Sequence, residues 1–341
     1  MLIELYLLKK TRLLLGLFFL AIVVIGCETK QNQFRFSGRT MGTTYSIAIV
    51  SENNVKTDCV QKSVDSVLVE INRQMSTYIS GSEISQFNHW ESTKPFEVSE
   101  DFAFVVHRAI EISKLTEGAF DITIMPIVNL WGFFGARQDD WTPPTTQRLT
   151  AVLENIGSDK LEVNGNYLRK AHPKLQIDVN AIAKGFGVDK VFDYLLNHGF
   201  DRCLVEIGGE VRCSGKNQDG NVWQIGIDKP SYGSLPGRDL QSVISLDNQA
   251  MATSGDYRNF VEWNGEVFSH AIDPRTGYPV KMNVSSATVM ATTCLKADAL
   301  ATALMVMGED AGKKLIKSLK DVECVLIISE GEDEFRVVHA Q

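Results

Sequence analysis

The chain has 341 residues, a formal net charge of −8 and a pI of about 5.4. This acidic balance argues against nucleic acid as a partner, because phosphate backbones attract basic surfaces. With 44% hydrophobic residues and no evident repeat or low-complexity tract, the composition is that of an ordinary globular protein with a substantial core.

The N-terminal segment has the pattern of a bacterial export signal. A basic stretch ends at Arg12, and the uncharged run after it is shorter than the roughly 20 apolar residues of a membrane span. The run ends in Val24-Ile25-Gly26-Cys27, which resembles the lipobox, where a peptidase cuts before a lipid-bearing cysteine. An ordinary signal peptide, or an anchor helix with an incidental cysteine, is the alternative.

Lipid on Cys27 would place the mature protein outside the cytoplasm and anchor it to a membrane. We expect the periplasmic side of the inner membrane. The predicted divisions are a lipoprotein signal peptide over residues 1–26, a lipidated tether over 27–35 and one folded domain over 36–341.

The five remaining cysteines do not form a metal or disulfide framework. They are odd in number, widely spaced and without a Cys-x-x-Cys pair. We expect buried, small apolar side chains. One bridge, from Cys203 to Cys213 across adjacent strands, is left open because an oxidising compartment permits it.

Hydrophobic periodicity predicts helices and short strands along the rest of the chain. Residues 36–50 alternate like a strand, residues 60–75 have helical spacing, and a polar loop is expected up to Asn88. Further helices are predicted over about 99–116, 147–155, from the segment around 180 to 198, 295–307 and 311–319. Further strands are predicted over 203–207, 222–228, 242–246, 260–263 and 286–291, with two more at the C-terminal end. This order predicts an α+β fold with mixed, largely antiparallel sheets and flanking helices.

The segment Ile177-Asp178-Val179-Asn180-Ala181-Ile182-Ala183-Lys184-Gly185-Phe186-Gly187 places an acid and a lysine around the start of a helix. A helix start exposes N–H groups and the positive end of the helix dipole, so it suits an anionic ligand. The segment is neither a Walker loop nor a Gly-x-Gly-x-x-Gly dinucleotide fingerprint. By itself it only suggests an anion site.

Asp298 and Thr302 are four residues apart in an otherwise apolar helix. Residues at this spacing share a helix face, so both oxygens can point at one spot. A buried carboxylate is costly unless it is paired or bound to a cation, and oxygen ligands suit a hard ion such as Mg²⁺. The alternative is an aspartate that hydrogen-bonds a neighbouring loop, while Thr302 bonds back to its own helix.

His270 and Arg275 lie in a segment that follows a strand and breaks into a turn. His270 is a candidate proton acceptor because the ordinary pKa of histidine is near neutral, and Arg275 is a candidate phosphate partner. From these residues alone, an Asp-Pro-Arg-Thr-Gly turn held by its own side chains is the better explanation of the segment. The paired glycines of Glu206–Glu210 permit a close approach or a β-bulge, and Ala252–Arg258 looks like a polar turn.

Eight segments in order resemble the ApbE-type flavin transferases, also called FAD:protein FMN transferases, over about residues 36–330. They are Met41–Tyr45, Met75–Tyr78, Gly118–Asp121, Asp178–Gly187, Gly208–Glu210, Ala252–Tyr257, Ser269–Pro279 and Ala297–Ala303. The resemblance implies an α+β fold with FAD in a central cleft and Mg²⁺-dependent transfer of FMN to a Thr or Ser hydroxyl. The product would be a phosphodiester-linked flavoprotein, with AMP released. The expected targets are extracytoplasmic flavoproteins such as subunits of redox-driven ion pumps.

The resemblance also implies the roles of individual residues. His270 matches the histidine proposed as the base. Mg²⁺ would be held by the carbonyl of Ala181 and by the side chains of Asp298 and Thr302. The FAD site would be lined by Met41, Tyr78, Ala119, Phe120, Asp121, Asp178, Lys184 and Ile272. Two alternatives use the same site: hydrolysis of FAD to FMN and AMP, and FAD binding without chemistry.

Overall fold

A computed structural model describes residues 31–133, 142–230, 239–255, 260–263, 266–269, 271–280, 284–331 and 334–341. The helices are α1 (Thr57–Met75), α2 (Glu83–His89), α3 (Glu100–Leu115), α4 (Met125–Trp131), α5 (Thr146–Leu153), α6 (Asn180–Asn197) and α7 (Cys294–Lys317), with 3₁₀ turns at Ile122–Ile124 and Ser158–Lys160. The strands are β1 (Asn32–Thr40), β2 (Thr43–Ser51), β3 (Phe96–Glu97), β4 (Leu161–Asn164), β5 (Tyr167–Lys170), β6 (Cys203–Ile207), β7 (Glu210–Ser214), β8 (Trp223–Asp228), β9 (Leu240–Leu246), β10 (Ala250–Gly255), β11 (Phe260–Trp263), β12 (Glu266–Ser269), β13 (Val284–Ala291), β14 (Glu323–Gly331) and β15 (Glu334–Ala340).

An eight-stranded antiparallel sheet forms the centre of the molecule, in the order β1-β2-β6-β7-β10-β13-β14-β15. Helices α6 and α7 pack on each other, α6 also on β6 and β7, and α7 also on β10 and β13. The β8–β9 hairpin covers the opposite face, where Trp223 and Leu246 are buried against Val211 and Met251. The predicted α+β fold is therefore confirmed.

The strand predicted over residues 36–50 is a hairpin. Strands β1 and β2 pair from Asn32 and Ser51 to Thr40 and Thr43. Met41 and Gly42, with φ of 50° and 73°, form the two-residue turn with positive φ that suits the twist of a hairpin. Because β1 begins at Asn32, residues 32–35 belong to the sheet and not to the predicted tether.

Other boundaries also differ from prediction. Helix α2 begins inside the predicted polar loop and ends one residue beyond it; it is short, and the hydroxyl of Ser82 caps it by accepting from the N–H of Ser85. The predicted turn at Ala252 is part of β10, which is held by pairing with β13. By contrast, the two predicted C-terminal helices are both present: they are the two parts of α7, which the non-helical backbone of Gly308, with a φ of 76°, divides.

Cys203 and Cys213 cannot form the bridge that the sequence left open. Cys203 pairs in register with Ser214, and Cys213 with Leu204. The two side chains accordingly pack in different clusters, Cys203 beside α6 and Cys213 beside the β8–β9 hairpin. The five cysteines of the described residues are free, and four of them are buried, as predicted. Within the described ranges, no helix is long and apolar enough to cross a membrane.

Candidate active site

A cleft of about 1420 Å³ lies where α6 and α7 meet the ends of β2, β6, β7 and β10. Drug-sized ligands occupy pockets of roughly 300–1,000 Å³, so this cleft has room for a larger, dinucleotide-sized molecule. Its floor includes the turn of Gly208 and Gly209, whose φ values of 63° and 104° make a tight hairpin between β6 and β7. The paired glycines are therefore a hairpin turn and not a β-bulge.

The cleft brings together predicted site residues from distant parts of the chain. The lining residues include Met41, Tyr78, Ala119, Phe120, Asp121, Asp178, Ala181, Lys184, Ile272, Asp298 and Thr302. Tyr78 is exposed, and Ile272 is buried. His270 and Cys27 lie outside the described residues, so their predicted roles stay predictions.

Asp178 fixes the start of helix α6. Its N–H donates to the carbonyl of Ile122 at 2.7 Å, and its Oδ1 accepts from the N–H of Asn180 at 2.8 Å. Burial raises the pKa of the Asp178 carboxyl, and the hydrogen bonds from Asn180 oppose that shift. The first turn of α6, including Ala181, is thereby held against the cleft.

Asp298 connects α7 to α6 through an unusual hydrogen bond. Its Oδ2 accepts from the N–H of Gly185 at 2.9 Å. In an α-helix that N–H is the donor for the carbonyl four residues earlier, which is Ala181. Burial raises the pKa of Asp298, while the Lys184 ammonium and the Gly185 N–H favour its charged form. The Asp298 carboxylate thus accepts from the Gly185 N–H, which in a regular helix would donate to the carbonyl of Ala181.

Thr302 presents its hydroxyl one turn beyond Asp298. Its Oγ1 lies 3.1 Å from the Oγ of Ser254, and Thr253 next to Ser254 bonds Thr288 of β13 at 2.9 Å. Asp298, Thr302 and Ser254 all line the cleft. Sequence reasoning missed Ser254 as a partner because it assigned this segment to a turn; its place in the register of β10 and β13 supplies the contact.

Lys184 forms an ion pair with Oε1 of Glu210, which is 2% exposed. Glu210 Oε2 is buried and makes no hydrogen bond within the described part of the chain. Burial raises the pKa of Glu210, against the pull of Lys184. Burial opposes the charge of Lys184, but Asp298 and Glu210 outweigh it and raise the lysine pKa, so Lys184 is cationic at neutral pH.

The charge of the cleft is acidic apart from this lysine. Lys184 is the only basic side chain among the described lining residues, whereas the carboxylates are Asp121, Asp178, Glu206, Glu210, Asp228 and Asp298. An oxygen-rich lining of this kind suits a hard cation.

Two candidate residues, Asp121 and Arg275, use their polar side-chain atoms in hydrogen bonds that hold the surrounding protein structure. Oδ1 of Asp121 accepts from the N–H and hydroxyl of Thr123 at 2.8 and 2.6 Å, and Oδ2 accepts from the N–H of Ser158 at 2.8 Å and the hydroxyl of Ser113 at 3.3 Å. The guanidinium of Arg275 donates two hydrogen bonds to Asp273, at 2.8 and 2.9 Å, in the turn that the residues of this segment favour. Arg275 is also absent from the described lining of the cleft.

Fold and cleft together define a class: α+β proteins with a dinucleotide-sized cleft and oxygen donors suited to a hard cation. A sequence model described as "ApbE family" matches residues 41–326. The chain is 44% identical over 316 residues to the FAD:protein FMN transferase of Vibrio cholerae, covering 92% of this chain and 93% of that protein. The chain belongs to the ApbE family, as predicted.

Solved structures agree with this assignment. The flavin transferase ApbE from Vibrio cholerae matches with a TM-score of 0.81 and 42% identity, over 91% of this chain and 97% of that one. The apo form of the flavinyl transferase ApbE from Pseudomonas stutzeri matches with a TM-score of 0.82 and 33% identity, over 91% of this chain and 95% of that one. The likeness therefore extends over nearly the whole fold.

Proposed function

We propose that this protein is an enzyme that transfers FMN from FAD to a Thr or Ser hydroxyl of a target flavoprotein, releasing AMP. The observation that carries the proposal is the junction of α6 and α7. There Asp298, Thr302 and Lys184 converge in a dinucleotide-sized cleft, in a chain 44% identical to a FAD:protein FMN transferase.

The chemistry must overcome charge repulsion. The pyrophosphate of FAD is anionic, and an attacking hydroxyl approaches against that charge. A bond forms between the acceptor oxygen and the FMN phosphorus, the bond from that phosphorus to the bridging oxygen breaks, and AMP leaves. Lys184 is cationic and sits in the cleft lining, so it would stabilise charge that grows on the phosphates. We assign the hydroxyl proton to His270, a contribution typically of roughly 10²–10⁴-fold.

Mg²⁺ fits the donor set of the junction. Within the described residues no three His, Cys, Asp or Glu side chains cluster, so a soft or multi-carboxylate metal site is not indicated there. One carboxylate with hydroxyl and carbonyl oxygens suits an ion that keeps several waters and binds substrate phosphates. The Ala181 carbonyl, Asp298 and Thr302 would hold it. When bound, the ion would neutralise charge on the phosphates and on departing AMP.

The decisive experiment is incubation of the protein with FAD, Mg²⁺ and a target protein that carries an acceptor threonine. Covalent flavin fluorescence on the target, with the mass of one added FMN and an equal amount of AMP, is the expected result. A target with that threonine replaced by valine is the control. Free FMN and AMP alone, with or without target, would instead identify an FAD pyrophosphohydrolase. Bound FAD without any product would identify a non-catalytic FAD-binding lipoprotein.

We also propose that Cys27 carries lipid and anchors the enzyme on the periplasmic side of the inner membrane. The lipobox-like residues before Cys27 support this, and so does the chemistry, because the expected targets are extracytoplasmic flavoproteins such as subunits of redox-driven ion pumps. Labelling of cells with palmitate should mark the wild-type protein. Cys27→Ser should remove the label and release the protein from the membrane fraction; a label that persists in this variant would contradict the anchor.

A further inference from the structure

Helices α6 and α7 hold each other through two reciprocal contacts between a carboxylate and backbone N–H groups. Asp298 of α7 accepts from Gly185 of α6 at 2.9 Å. Asp189, one turn beyond Gly185 on α6, accepts from the N–H groups of Cys294 and Leu295, each at 2.9 Å. Cys294 and Leu295 are the first two residues of α7. Each helix therefore binds the other through a carboxylate that accepts from backbone N–H groups of its neighbour.

Gly185 makes this close approach possible. A Cβ atom built on Gly185 would lie 2.4 Å from the carbonyl oxygen of Cys294 and 2.8 Å from the Cβ of Asp298. Contacts this short do not occur, so a larger residue would push the helices apart. The spacing between the helices is thus set by backbone packed on backbone, with a carboxylate contact on each side.

Asp189 is itself held firmly. Arg212 of β7 donates to its Oδ1 at 2.7 Å, and the guanidinium of Arg212 lies 4.3 Å from the ring centroid of Phe192. Asp189 is buried, and its two oxygens accept three hydrogen bonds. A carboxylate at a helix N-terminus is favourable because it meets the positive end of the dipole. The helix's own cap, Thr293, makes only a long contact of 3.4 Å with the N–H of Lys296.

Asp189 does not line the cleft, but both helices that it joins carry residues that do. On α6, Ala181 lies two turns before Asp189. On α7, Asp298 and Thr302 lie one and two turns after the residues that Asp189 caps. A shift of the first turn of α7 along α6 would therefore change the spacing of all three proposed ligands.

We propose that Asp189 is a positioning residue for Mg²⁺ binding, an inference that rests on the proposed function. It anchors the first turn of α7 to α6 and so fixes the distance from the Ala181 carbonyl to the oxygens of Asp298 and Thr302. A cation bound to Asp298 withdraws charge from the carboxylate that accepts from the Gly185 N–H and so weakens that hydrogen bond. The described partners of Asp189, which are Cys294, Leu295 and Arg212, do not line the cleft, so the helix junction depends more on Asp189 when the site is loaded.

The test compares Asp189→Asn with Asp193→Asn in the full chain. Asp193 is one turn further along α6 and also faces Arg212, at 3.6 Å, but its side chain is 58% exposed. Mg²⁺ is titrated calorimetrically in the presence of FAD and without target, and amide exchange is followed over residues 294–298. Asp189→Asn should raise the Mg²⁺ Kd about tenfold and speed exchange there, while Asp193→Asn stays within twofold of wild type. Saturating Mg²⁺ should restore most of the transfer rate of Asp189→Asn.

A Mg²⁺ Kd for Asp189→Asn within twofold of wild type would overturn the inference, even if the variant is less stable. If that variant does not fold, Arg212→Gln removes the ion pair and leaves the Asp189 carboxylate. It should raise the Mg²⁺ Kd about threefold, and an unchanged Kd would count equally against the inference. Asp298→Ala distinguishes failure of the metal assignment from failure of the positioning role of Asp189. If wild type and Asp298→Ala bind Mg²⁺ alike, the metal assignment fails; if only Asp298→Ala loses binding, the positioning role of Asp189 alone fails.

Discussion

Two motifs that look alike in sequence behave differently in the structure. The turn around Asp273 and the helical pair Asp298 and Thr302 each combine a carboxylate with nearby polar groups. In the turn, Asp273 is matched by Arg275 at 2.8 and 2.9 Å, so its charge is satisfied locally. At the helix junction, Asp298 is 3% exposed and meets Gly185 from another helix, while Thr302 meets only the hydroxyl of Ser254 among its described side-chain contacts.

The difference distinguishes polar side chains that hold local structure from polar side chains that can bind a ligand. A motif that satisfies itself within a few residues holds a turn, whereas buried oxygens gathered from separate elements beside a cleft are available to a ligand. Residues of the junction should therefore matter far more for transfer than residues of the turn.

Asp298→Ala should have the largest effect on transfer. Loss of the buried carboxylate removes the charged oxygen proposed for Mg²⁺, and we expect the rate of FMN transfer to fall by about 10²–10³-fold. Initial rates of target flavinylation at saturating FAD and Mg²⁺ measure it. The control is Asp310→Ala, an exposed aspartate of the same helix beyond the kink at Gly308. Equal rates for the two variants would contradict the role of Asp298.

Gly185→Ala should damage both stability and transfer. Its Cβ would meet the backbone of Cys294 at 2.4 Å, and overpacking of this kind costs about 1–3 kcal/mol. Gly187→Ala is the control, because its Cβ would meet the side-chain ends of Met41 and Ile207 at 3.3 and 3.4 Å. Urea denaturation gives the free energy of unfolding of both. If Gly185→Ala were as stable as Gly187→Ala, the close packing of the helices would be in doubt.

Lys184→Met should raise the KM for FAD about tenfold through loss of one charge-assisted contact, and it should also lower kcat because the positive charge beside the phosphates is lost. The double variant Lys184→Met/Glu210→Gln avoids leaving Glu210 as an unpaired buried carboxylate. Lys190→Met is the control, since Lys190 lies on the same helix and pairs with Asp101 at 3.0 Å. Because its carboxylate partners raise the pKa of Lys184, its charge should persist as pH rises to 9. Because burial raises the pKa of Glu210 itself to about 8, this comparison is made in the Glu210→Gln background. A KM for FAD that climbs steeply between pH 7 and 9 in Glu210→Gln, but not in the double variant, would contradict the persistent charge of Lys184.

Arg275→Ala should have the smallest effect. Its ion pair with Asp273 is partly exposed, and such pairs contribute about 0–1 kcal/mol. We expect the transfer rate and the KM for FAD to stay within threefold of wild type. A tenfold loss of transfer with an unchanged free energy of unfolding would mean that Arg275 reaches the phosphates and that the turn is functional.

Sequence predicted the elements with strong periodicity and missed those defined by pairing. Helices α3 and α6 lie within a residue or two of prediction, because apolar spacing and Ser99 or Gly199 mark their ends. Strand β10 was missed because Met251-Ala252-Thr253-Ser254 is short and half polar, and only its neighbours β7 and β13 make it a strand.

The candidate site likewise combines residues that the sequence predicts with contacts that only the fold creates. Asp178, Lys184, Asp298 and Thr302 were predicted to share a cleft through the family resemblance, and the structure places them there. Ser254, Glu210 and Asp189 were not recognised as their partners. Those contacts join residues far apart in the chain, such as Asp189 and Cys294, and depend on helix packing and strand register that local spacing does not encode.

We propose that the junction of α6 and α7 holds a divalent cation against the pyrophosphate of FAD. Diffraction from crystals grown with FAD and Mn²⁺ in place of Mg²⁺ tests it directly, because Mn²⁺ gives an anomalous signal. We predict a peak bonded to the Ala181 carbonyl, Asp298 and Thr302, at distances near the roughly 2.1 Å of Mg²⁺–oxygen bonds. Bound FAD with no anomalous peak at these oxygens, or with the ion elsewhere, would rule out the proposed cation site.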